Sequence, residues 1–155
     1  MHDVQDRRIH TQERRFPADA RSVREARAFV HHALSHDDDL AARAVLIVSE
    51  LAGNAVVHAA SPYTVRIAVD PFVVRGEVFD GDRRLPVPGR TTAARAFDSR
   101  GGRGGRGGRG GHGGRGLVIV QAMADRWGAH PDDHGGKVVW FELDVPVPGA
   151  GQRVV

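Results

Sequence analysis

Glu50, Asn54 and His58 fall at i, i+4 and i+8 within LAARAVLIVSELAGNAVVHAA, a run otherwise dominated by alanine, valine, leucine and isoleucine. If the run is helical, each step of four residues turns about 40° and rises about 6 Å, so neighbouring pairs share a face. A carboxylate and a carboxamide on such a helix are costly to bury unless something satisfies them. Backbone groups or water inside a core would do so, and so would a cavity holding a cation and its ligand. Magnesium prefers oxygen donors and often bridges a protein oxygen to substrate phosphates. Asn54 has an oxygen for that contact, and Glu50, one turn earlier, has a base for a nearby water or hydroxyl.

Two further stretches bear on the same chemistry. VVRGEVFDGD ends a strand-like run on Asp80 followed by Gly81. A carboxylate emerging there can accept a hydrogen bond from an exocyclic amine such as that of adenine, and a glycine beside it lets a flat ring approach the backbone. HGGRGL then places Gly113, Gly114, Arg115, Gly116 and Leu117 before an apolar helix, where free backbone amides suit phosphate oxygens. A glycine-rich turn alone is more often only a loop; the three features in this order reinforce one another.

The elements that must position these residues follow from periodicity. TQERRFPAD holds a short edge strand over residues 11–16, ended by Pro17. SVREARAFVHHAL has Ser22 three residues before Glu25, the spacing of a capping box, and Val23, Ala26, Val30, Ala33 and Leu34 at helical spacing. Asp37, Asp38 and Asp39 open the second helix, where negative charge suits the helix dipole. Together with His31, His32 and His36 they also permit a metal site, but capping carboxylates and solvated histidines explain them more simply. The second helix reaches Ala59 or Ala60, and its nearly all-round apolar character predicts burial. YTVRIAVD and FVVRGEVFD read as an antiparallel pair, GLVIVQAMADRWG as a third helix, and RWGAHP and KVVWFELDV as two more strands. The fold expected is α/β (α+β): a two-layer sandwich with a mixed, mostly antiparallel sheet and about three helices on one face.

Composition narrows the remaining choices. The chain has 155 residues, 41% of them hydrophobic, which suffices for one core. Having no cysteine, it has neither disulfides, thiolate zinc sites nor a cysteine nucleophile. The start MHDVQDRRIHTQERR lacks the apolar centre of a secretory signal, and no run of about eighteen apolar residues suited to a bilayer is expected, so the predicted location is the cytoplasm, without a membrane partner. The formal charge is +3, but Arg100, Arg103, Arg106, Arg109 and Arg115 lie in one glycine-rich repeat; removing those five charges leaves −2 for the rest. The basic character therefore belongs to that stretch, which is part of a connection of about 35 residues, far beyond the usual 12 to 15.

The runs SELAGNAVVHA, VFDGD, GGRGLVIVQAMADRWG and GKVVWFEL resemble the GHKL ATPase superfamily, which includes gyrase, mismatch-repair and histidine-kinase ATP-binding domains. Within it the chain is similar to the small anti-sigma factor serine/threonine kinases and to short ATP-binding proteins of actinobacteria, over roughly residues 15 to 145. The resemblance implies a Bergerat-type fold with ATP and Mg2+ as cofactors. It makes Glu50 the general base, Asn54 the magnesium ligand and Asp80, followed by Gly81, the adenine reader. It makes Gly113, Gly114, Arg115, Gly116 and Leu117 the phosphate-binding turn, and it gives His58 a structural role. The implied partners are a sigma factor and an anti-sigma antagonist, and the edge strand offers a route to a homodimer.

This chain departs from the family pattern at Asp82 and Arg84, where glycines would fall, and at Val138, where many relatives have a hydroxyl residue. The expected organisation is a disordered tail over 1–10, an ATP-binding domain over 11–145 with a flexible glycine- and arginine-rich lid at 98–115, and a loose tail over 146–155. The lid's arginines suit β- and γ-phosphates. The rival reading is RNA binding by the repeat, for which five arginines imply a salt slope of about −3.5 on single strands, although no aromatic residue interleaves them. A further alternative keeps nucleotide binding but with little or no turnover.

Overall fold

Asp19 starts the first helix. Its carboxylate accepts from the backbone N–H of Ser22 at 2.9 Å, and helix α1 runs Ala20–Ala33. The capping box expected at Ser22 is thus replaced by an N-cap three residues earlier. Ser22 is instead buried, its hydroxyl bonded to the Asp19 carbonyl at 2.8 Å and to the Tyr63 hydroxyl at 2.9 Å. Asp37 caps helix α2 (Asp38–Asn54), accepting from Asp39 N and Leu40 N, as the acidic triplet predicts.

The computed structural model describes residues 9–86 and 113–146. Residues 1–8, the expected lid up to residue 112 and the expected C-terminal tail from residue 147 lie outside the described residues. The strands are β1 (His10–Phe16), β2 (Tyr63–Val69), β3 (Val73–Asp80), β4 (Arg126–Pro131) and β5 (Lys137–Asp144), with helix α3 (Gly113–Met123) between β3 and β4. They form one sheet in the order β1-β2-β3-β5-β4, and every neighbouring pair is antiparallel. The result is the expected α+β sandwich, without a parallel pair among the described residues. His10, assigned by sequence to the tail, begins β1. Gly113, Gly114 and Arg115, assigned to the lid, are already helical, and α3 ends at Met123 because β4 starts three residues later.

Alternation along the strands separates the two faces of the sheet. Val65 and Ile67 of β2, Val74 and Val78 of β3, and Val139, Phe141 and Leu143 of β5 point into the core, where they meet Val30, Leu34, Ile47 and Val48 of the helices. α2 is the central helix, packed on α1, α3, β3 and β5. With its terminal extension to Ala59 it is long and apolar enough to cross a membrane by length and composition, mean hydropathy 1.6 over the qualifying stretch, which corrects the expectation that no such run exists. In this fold it serves as the core helix. It is not buried all round, however: Leu46 and Val57 are exposed.

The other face of the sheet carries a lattice of charge. Arg66 pairs with Glu13 at 2.6 Å and Glu77 at 3.2 Å, Arg75 with Glu77 at 3.0 Å and Glu142 at 2.9 Å, and Arg126 with Glu142 at 2.7 Å and with Asp144. The chain of pairs touches all five strands. Arg75 also lies over the Trp140 ring at 4.5 Å.

Candidate functional site

The α-helical hydrogen bonding of α2 stops at Asn54 and continues as a π-helical turn, Ala55–Ala59, closed by Ala60 in the left-handed region (φ 48°). Such wider turns recur at functional sites. The change of pitch alters the expected four-residue stepping beyond Asn54, and His58 is exposed. Glu50 and Asn54 are half-buried rather than enclosed. Neither side chain hydrogen-bonds to any described residue. Both groups reach a partly open surface, so the expected burial is only partial. What remains is a carboxylate and an amide one turn apart with free hydrogen-bonding capacity.

Two sets of contacts fix what lies near them. Arg43, early in α2, donates to the carbonyl of Met123 at the end of α3 at 2.7 and 2.9 Å and pairs with Asp125 at 3.0 Å. Since α2 and α3 also pack together, they run in opposite directions, and the late turns of α2 lie toward the first turn of α3. Gly113, Gly114, Arg115, Gly116 and Leu117 form that first turn, inside the helix rather than before it. The first four amides of any helix lack intrahelical acceptors, so the turn retains donors for an anion. At the other side, Ser61, just past the π-helical turn, accepts from Gly81 N at 2.9 Å. A Cβ on Gly81 would stand 2.9 Å from that hydroxyl, so a side chain there would push Ser61 aside and disturb this hydrogen bond. The end of α2, the start of α3 and the end of β3 thus share one end of the domain.

Asp80 closes β3 on the helix-facing side, in line with Val74 and Val78, with its side chain 4% exposed. Opposite it in β5 stands Lys137, whose Nζ donates to Asp80 Oδ1 at 3.0 Å and to the Asp82 carbonyl at 3.4 Å. Asp82 N donates to the same Oδ1 at 2.8 Å. Gly136 allows this approach, because a Cβ there would sit 1.8 Å from the Asp80 carbonyl oxygen. Sequence reasoning missed Lys137, although it is the single lysine among 22 basic residues. It missed Ser61 as well, for which the sequence carried no signal. Val138, the position expected to bear on Asp80, pairs with Phe79 and belongs to the opposite face.

Asp82 and Arg84 are joined by contacts of 3.0 and 3.1 Å. The Arg84 guanidinium, with the Arg84 amide and Lys137, holds the Asp82 carboxyl down at about 2. A cleft of about 460 Å³ lined by Arg15, Thr64, Arg66, Phe79, Asp80 and His134 opens mainly on the sheet face away from the helices, and so does not gather Glu50 and Asn54. Among the described residues no cluster of three or more histidine, aspartate or glutamate side chains could hold a metal ion by itself.

Comparison with curated proteins gives no match. Among solved structures the chain is similar to the RsbU and RsbW domains of Rv1364c from Mycobacterium tuberculosis, with a TM-score of 0.58 and 18% identity, over 88% of this chain and 33% of that one. At that identity the likeness shows a shared fold, and this chain spans about a third of the longer protein. A family model described as histidine kinase-like ATPase domain matches residues 16–143. The match runs from the end of β1 to the end of β5 and contains every candidate residue named above, so the chain belongs to the histidine kinase-like ATPase domain family.

Proposed function

We propose that the chain is an ATP- and magnesium-binding serine/threonine protein kinase of the anti-sigma factor type, which binds a sigma factor and phosphorylates an anti-sigma antagonist in the cytoplasm. The observation that carries the reading is the placement of Glu50 and Asn54. They stand one turn apart, half-buried and without a described partner, at the end of the domain where Asp80 and the first turn of α3 also lie. Asn54 fits magnesium, since an amide oxygen is a hard ligand and a single protein oxygen suffices when phosphates supply the others.

The bound ion would neutralise charge on the phosphates. Asn54 offers its amide oxygen to the ion, and the amides opening α3 receive phosphate oxygens. Asp80 accepts from the adenine amine. Glu50 would take the proton of the acceptor hydroxyl as its oxygen bonds to the γ-phosphorus and the bond to the β–γ bridging oxygen breaks, with ADP leaving. Positioning and charge neutralisation carry most of such a transfer. The outer edge of β1, exposed except at Phe16, supports pairing with a second copy.

The test is incubation with labelled ATP, Mg2+ and the antagonist. Wild type transfers label; Glu50→Gln abolishes transfer and spares binding; Asn54→Ala weakens magnesium-dependent binding itself. Binding without transfer by wild type would replace the kinase with a nucleotide-dependent binding module of little turnover. The Asp82–Arg84 ion pair, standing where the family pattern has glycines, is the observation that favours this second reading.

A further inference from the structure

The mechanism above leaves one buried charge unused. Lys137 is only 8% exposed, in a chain whose other basic side chains are arginines. It is aimed at Asp80 by strand register, at 3.0 Å, and touches Asp82 twice, through the carbonyl at 3.4 Å and the carboxylate at 3.7 Å. Both donors that reach Asp80 from described residues, Lys137 Nζ and Asp82 N, take the same oxygen, Oδ1. Oδ2 receives no hydrogen bond from any described residue.

We infer that Lys137 is a specificity-determining positioning residue: its ammonium holds Oδ1 of Asp80 through a charge-assisted hydrogen bond and fixes the carboxylate's rotation, so that Oδ2 is presented to the ligand as an acceptor. This rests on the reading of Asp80 as the contact for the nucleobase. The physical reason lies in what a carboxylate does when one oxygen is less firmly held. With only the Asp82 amide left on Oδ1 it can turn, and Oδ2 is no longer aimed at one place. A carboxylate fixed with Oδ2 toward the ligand accepts from an exocyclic amine and repels a carbonyl oxygen at the same place, whereas one free to turn away discriminates less. The lysine therefore controls the choice of base, although it need not touch the base.

Register and the close approach at Gly136 make the arrangement specific. Lys137 faces Asp80 because β5 pairs with β3 antiparallel, and the flanking glycine lets the two strand ends come within reach of one ammonium. Arginine, with its wider planar fork, is a poor substitute in so enclosed a place.

The experiment measures Kd for ATP and for ITP, which carries a carbonyl where adenine has its amine, by titration calorimetry on the full chain. Wild type is expected to favour ATP by about tenfold or more, the effect of one charge-assisted hydrogen bond. In Lys137→Met and Lys137→Gln the ratio should collapse to within about threefold, and Asp82→Ala, which leaves the shorter contact in place, should keep it. Any general loss of structure lowers both affinities together and leaves the ratio unmoved, so the ratio separates the proposed role from simple destabilisation. Lys137→Gln retains a donor without charge and guards against misfolding of the methionine variant. A folded variant at position 137 with the wild-type ratio overturns the inference alone. A wild type that binds ATP and ITP equally overturns the role given to Asp80, and one that binds neither overturns the nucleotide reading altogether.

Discussion

Replacing Asp80 with asparagine changes one atom, yet the structure predicts a large loss of stability. The side chains of Asp80 and Lys137 are 4% and 11% exposed and lie 3.0 Å apart. Removing one partner of a buried ion pair costs roughly 3–5 kcal/mol, because the remaining charge is left without compensation. Here Asp82 stays within 3.7 Å of the ammonium, which puts the expected cost at the lower end, about 3 kcal/mol. With a urea slope of about 2 kcal/mol/M, the unfolding midpoint should fall by about 1.5 M. The double variant Asp80→Asn with Lys137→Met removes both charges and should recover most of that loss without recovering nucleotide binding. Urea unfolding followed by Trp fluorescence checks both statements. A midpoint for Asp80→Asn within about 0.3 M of wild type, or a double variant no more stable than the single one, would refute the account of the pair.

Asp82 is held at about 2 chiefly by the Arg84 side chain, so its contribution to stability is complete above the ordinary carboxylate range and is lost as pH falls through about 2; Arg84→Ala should return its midpoint toward the usual 3.8 in an NMR titration. Arg75→Ala removes contacts to Glu77 and Glu142 and uncovers Trp140, with an expected cost of about 1 kcal/mol that shrinks in high salt and a red shift of tryptophan emission; no shift would mean that the guanidinium does not shield the ring. Deleting residues 101–112 should impair nucleotide affinity if the arginines serve phosphates; loss of RNA binding with unchanged ATP binding would favour the rival reading of the repeat.

All five strands and three α-helices of the described residues were legible in the sequence, because each writes its own period into the chain. Alternation in β2, β3 and β5 marked which residues face the core, and Val30, Leu34 and their neighbours marked the buried side of α1. Asp37 announced the start of α2 through local capping chemistry. Boundaries set by competing local signals were harder to place: Asp19 displaced Ser22 as a cap, and α3 began inside its glycines and gave way early to β4.

The sequence by itself determined the elements, the family to which they belong and the candidates Glu50, Asn54 and Asp80, since residue type and short-range spacing are local properties. Only the tertiary structure decided that the segment after α2 is joined to the end of β3, that α3 packs back along α2, that Glu50 and Asn54 are half-open, and that Lys137 rather than its neighbour Val138 faces Asp80. Each of these depends on strand register and helix direction, which join residues as many as 82 positions apart. A shift of one residue in the β3–β5 register would turn the lysine to the other face.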